Sequence, residues 1–102
     1  MKHEGAHSNT LVFKVSESGQ ISDLNASSKV INFIADMQDL SLEAIELVKN
    51  NLIIFGQSIY EKKGSFVIVC KYVFDESLNI VPTLQEAFDF VEMEEIERQL
   101  DL

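Results

Sequence analysis

Two short apolar runs bracket a longer segment of helical period, and that arrangement limits what this chain can become. Val30-Ile31-Asn32-Phe33-Ile34-Ala35 is mostly apolar and β-branched, and Ser65 to Tyr72 opens as Ser65-Phe66-Val67-Ile68-Val69. Neither run alternates, so both read as central strands covered on two faces. Between them Ile45, Val48, Leu52, Phe55 and Ile59 recur at three- and four-residue steps, which predicts a helix over 42–62. Ser41 stands where an N-cap belongs, and Leu40 and Ile45 are placed as a hydrophobic staple. Glu43 and Glu46 suit the positive end of the helix dipole, and Lys62 and Lys63 the negative end. Gly64 is expected to stop the helix.

The flanks extend this pattern. Leu11, Phe13 and Val15 alternate as in a half-buried strand, Glu17 to Gln20 supplies turn chemistry, and a short return strand is expected around Ile21 to Leu24. Residues 1–9 lack periodicity and are expected to fray, which leaves 10–102 as one domain. Leu78 to Val81 suggests a short edge strand ended by Pro82. Thr83-Leu84-Gln85-Glu86 then reads as a capping box opening a terminal helix over 84–100. The expected architecture is α/β: a mixed sheet of four to five strands with two main helices, in the order β-β-β-α-β-(β)-α.

At 102 residues the chain has room for one core. Eight basic against seventeen acidic residues give a formal charge of −9. That balance argues against nucleic acid and against an anionic membrane surface, and it suits solubility or a basic protein partner. No run approaches the roughly 18 apolar residues of a membrane span, and a polar start from Met1 to Thr10 carries no signal peptide, so a cytoplasmic protein is expected. Cys70, the single cysteine, lies in an apolar run and reads as a small buried hydrophobe.

Few residues carry chemistry. His3-Glu4-Gly5-Ala6-His7 matches the H-E-x-x-H zinc pattern, but it contains a glycine, no helix precedes it, and no third histidine exists to complete a site. Cys70 and the serines have no internal histidine to activate them, since both histidines lie near the N-terminus. No catalytic residue, metal or cofactor is therefore expected. Ser41 is the one hydroxyl with a second reading, because a phosphate on it would sit on a helix N-terminus. The terminal helix carries two apolar stripes. Leu84, Ala87, Phe88 and Val91 form one, expected to pack on the sheet. Phe90, Met93, Ile96 and Leu100 form the other, rimmed by Glu92, Glu94, Glu95, Glu97 and Asp101. Either the helix bends and buries both, or the second stripe is a docking or dimer surface with an acidic rim.

The order of elements resembles the STAS domain of anti-sigma factor antagonists. More narrowly, Ser65-Phe66-Val67-Ile68-Val69 and the stretch IVPTLQEAFDFVEMEEIERQL from Ile80 to Leu100 are similar to short bacterial STAS-like proteins commonly labelled ribonuclease Z. The close likeness covers about a third of the chain. The resemblance implies a regulatory, non-catalytic module that acts on a protein partner or on itself. Residues 25–29 are too few for the helix such domains place between their second and third strands. STAS antagonists are also phosphorylated in an Asp-Ser or Asp-Thr-Ser-Gly signature. Here Asp36-Met37-Gln38-Asp39-Leu40-Ser41-Leu42 stands in its place without the glycine, and Ser41 is the nearest counterpart. Two rival readings follow: a phosphorylation-switched antagonist using Ser41, and a metal-dependent ribonuclease. The second would need a His-x-His-x-Asp-His cluster that the chain lacks.

Overall fold

The computed structural model describes residues 9–17, 21–22 and 30–100. The elements follow in the expected order: β1 (Thr10–Val15), β2 (Ile21–Ser22), β3 (Asn32–Asp36), α1 (Leu42–Glu61), β4 (Ser65–Val69), β5 (Ile80–Val81) and α2 (Leu84–Leu100). They build one five-stranded sheet in the order β2-β1-β3-β4-β5. β1, β3, β4 and β5 run parallel, and β2 pairs antiparallel with β1. The α/β architecture is therefore as the sequence implies.

Strand residues point to alternate faces, so register decides what each helix meets. One row joins Phe13, Ala35, Ile68 and Ile80 across four strands. With Phe66 and Val15 it forms the core under α1, which contributes Ala44, Ile45, Val48, Leu52 and Ile59. Phe55 of α1 meets Phe13, Phe33 and Phe66 edge to face, at centroid distances of 5.8, 5.3 and 5.3 Å. Gly56 lets the helix come down on this cluster: a Cβ there would stand 2.9 Å from the Phe66 ring. On the other face Ile34, Val67 and Val69 receive Ala87 and Val91 of α2, flanked by Val12, Val81, Leu84 and Phe88. β1 alternates as expected, with Phe13 and Val15 buried and Lys14 between them exposed. It lies between β2 and β3, and Val12 on its other face is part-buried against the core under α2.

β4 ends at Val69 rather than Tyr72, and β5 starts at Ile80 rather than Leu78. Two further boundaries differ from expectation for physical reasons. Asn9 is not part of a fraying terminus, because its carbonyl accepts the amides of Ile31 and Asn32 at 3.0 and 3.1 Å. At the end of α1 it is Lys63, not Gly64, that takes the left-handed conformation, at φ 69°. The Lys63 amide donates to the Tyr60 carbonyl and the Gly64 amide to the Ile59 carbonyl, at 3.1 and 3.0 Å, which closes a Schellman motif. Gly64 answers a different demand, since a Cβ there would stand 1.9 Å from the Ile31 carbonyl oxygen. The connector at 25–29, where a STAS helix would be sought, lies outside the described residues.

Candidate functional site

The capping residues predicted for both helices do cap, each with a change of partner. The Ser41 hydroxyl accepts the Ala44 amide at 3.2 Å. A capping box would place Glu or Gln at Ala44 to reach back to the Ser41 amide. Here Glu17, two residues beyond β1, does so: its carboxylate accepts the Ser41 amide and the Ser41 hydroxyl, both at 2.9 Å. Ser41 is exposed, and this carboxylate occupies the position that favours an anion. At α2 the Thr83 hydroxyl accepts the Glu86 amide at 3.1 Å, while the return bond from Glu86 is not formed.

The inner side of α2 changes character along its length. Its first turns bury Ala87 and Val91 on the sheet. Beyond them the sheet presents a polar row, because Thr10, Asn32 and Ser65 lie side by side in register. Asn32 and Ser65 are fully buried, so their polar groups need partners. Glu95 accepts the side-chain amides of Asn9 and Asn32, both at 2.7 Å. Arg98 donates to the Ser65 hydroxyl at 2.9 Å and to the Asn32 carbonyl oxygen at 3.4 Å. Asn32 also accepts the Ser65 amide at 3.1 Å. The last turns of α2 are thus held down by a charged, hydrogen-bonded network.

A second polar link closes the β4 edge of the sheet. The Tyr60 hydroxyl donates to Glu94 at 2.9 Å and accepts the Asn79 side-chain amide at 2.8 Å. Asn79 donates in turn to the Phe66 carbonyl at 3.1 Å. Burial of the phenol, with the Glu94 carboxylate beside it, pushes the Tyr60 hydroxyl up to about 12. The folded state therefore holds this proton more tightly than the unfolded chain. The stabilisation is present below the ordinary tyrosine value of 10.0 and is lost as pH rises from there through about 12. Unfolding measured across that window should show wild type losing more stability than Tyr60→Phe. Equal losses would refute the link.

With Glu94 and Glu95 turned inward, the acidic rim differs from the one expected. Asp101 lies outside the described residues. Glu92 and Glu97 are exposed, as are Glu86 and Asp89 further back along α2. The second apolar stripe is divided. Phe90 is half-buried and packs on the core under α2, so it does not belong to the exposed face. Met93, Ile96 and Leu100 are 57%, 51% and 80% exposed. The helix does not bend to bury them. On α1, Leu47 and Ile54 are also exposed, but Asn50 and Asn51 stand between them.

Among the described residues no group of three or more His, Cys, Asp or Glu side chains comes together to hold a metal. His3, Glu4 and His7 lie outside those residues. Cys70 is buried. No described helix is long and apolar enough to cross a membrane. Set beside family models, curated proteins and solved structures, the chain matches none of them.

Proposed function

We propose that this chain is a non-catalytic, STAS-like regulatory module that acts by docking another protein on the outer face of α2. The observation that carries this reading is the exposure of Met93, Ile96 and Leu100 on a helix whose inner side is already satisfied. Apolar side chains ringed by carboxylates suit an interface centre and its polar rim. The groups that could carry chemistry are engaged in holding the fold: Glu17 and Ser41 join β1 to α1, Tyr60 and Glu94 join the two helices, and Glu95 and Arg98 fix α2 to the sheet. A photo-crosslinking amino acid at position 93, with the same group at Leu47 as reference, tests the reading in the source cell. Protein adducts should form from position 93 well above those from 47; equal or absent adducts would sink it.

Ser41 supports a second reading, a phosphorylation-controlled version of the same module. A phosphate there would bring about −1.5 to −2 charges against the Glu17 carboxylate, forcing Glu17 off the helix N-terminus. Incubation with kinases of the source cell followed by mass measurement checks it. Absence of phosphate at Ser41 would remove this version and leave the first untouched.

A further inference from the structure

The spacing of the exposed stripe carries more than the existence of a docking face. Met93, Ile96 and Leu100 are separated by three and four residues, the step of positions a, d and a in a heptad. On that frame Glu92 occupies g, Glu97 occupies e, and Asp89 takes the preceding d. The seam therefore runs along the last turns of α2, with a carboxylate on each side and Asp89 closing its near end. The helix cannot roll to hide it, because Glu95 and Arg98 are bonded to Asn9, Asn32 and Ser65 on the opposite side.

Positions e and g choose the partner of such a seam. A second copy of this chain is a poor choice in either orientation. Parallel pairing sets Glu92 of one helix against Glu97 of the other. Antiparallel pairing sets Glu92 against Glu92 and Glu97 against Glu97. Each copy also brings a formal charge of −9, so juxtaposed carboxylates add to a general repulsion. Charge complementarity instead asks for cations at both flanking positions. Resting on the docking reading above, we propose that the outer face of α2 pairs with an amphipathic helix of a different protein, one with Lys or Arg on both sides of its apolar seam.

Two synthetic helical peptides test this on the full chain. Both carry Leu at a and d; one has Lys at e and g, the other Glu. Titrated into isotope-labelled protein, the Lys peptide should shift resonances along 89–100 and bind on the order of tenfold more tightly than the Glu peptide, a preference that shrinks with added salt. The E92K/E97K double variant should invert the preference. E43K/E46K, the same charge change on α1, should leave it standing. M93S/I96S should abolish binding while retaining the acidic rim, with the amide spectrum confirming the fold. Failure of the Lys peptide to bind overturns the proposal, as does equal loss in E43K/E46K or survival of binding in M93S/I96S. A wild-type dimer dispersed by M93S/I96S would overturn the basic partner while the docking reading stands. Failure of the peptides together with no crosslink from position 93 would remove both.

Discussion

Replacing Gly64 by alanine is expected to cost about 3–5 kcal/mol, at the upper end of what single substitutions do. The added methyl would meet the Ile31 carbonyl oxygen at 1.9 Å and the Ile59 side chain at 2.9 Å. The first of these is backbone, held by the Ser65 amide at 3.3 Å, so it cannot swing away as a flexible side chain would. Relief requires separating the end of α1 from the start of β3, where the sheet begins. For a domain of this size the melting temperature should fall by roughly 15 °C or more. Lys63→Gly is the companion measurement: it relieves a left-handed non-glycine residue one position away and should not destabilise. A loss below about 1 kcal/mol in Gly64→Ala would mean that the approach is looser than it looks.

Asn32→Leu should destabilise by about 2–4 kcal/mol, through the charges left behind more than through the bond removed. Asn32 donates to Glu95 and accepts from Arg98 and the Ser65 amide. Leucine at that position takes a donor from a carboxylate packed against the sheet and an acceptor from the guanidinium. Removing the charges as well should recover part of the loss. The triple variant N32L/E95M/R98M is expected to be more stable than N32L alone, measured by urea unfolding. If instead the three substitutions simply add, the groups do not act as a network.

The sequence and structure agree where period and caps decide the outcome. Apolar spacing located α1 and α2, Ser41 and Thr83 marked their starts, and the β-branched runs became β3 and β4. What sequence reasoning missed depends on register between distant segments. Asn32 looked like one polar residue in an apolar run, and only the alignment of Thr10, Asn32 and Ser65 turns it toward Glu95 and Arg98. The clue was present in a buried-strand pattern interrupted by Asn and begun by Ser, which requires polar partners from elsewhere. Glu94 and Glu95 were indistinguishable from their acidic neighbours until the twist of α2 set them inward. Glu17 carried no signal at all, since its partner lies 24 residues away. Gly64 stands where a helix stop is expected, but it serves to admit a neighbouring carbonyl, while Lys63 makes the turn.

The shortness of β5 also bears on how copies of this domain meet one another. β5 pairs only with Ile68 and Val69, so β4 continues past its neighbour toward Phe66 and Ser65. A bare length of strand of this kind is a template for recruiting a foreign strand, the usual start of fibrillar growth. Here the Asn79 amide already holds the Phe66 carbonyl, and the Tyr60 phenol braced on Glu94 stands beside it. An arriving strand would have to evict both side chains before forming its first rung. The length of β4 that β5 leaves unpaired is thus covered by side chains against templating.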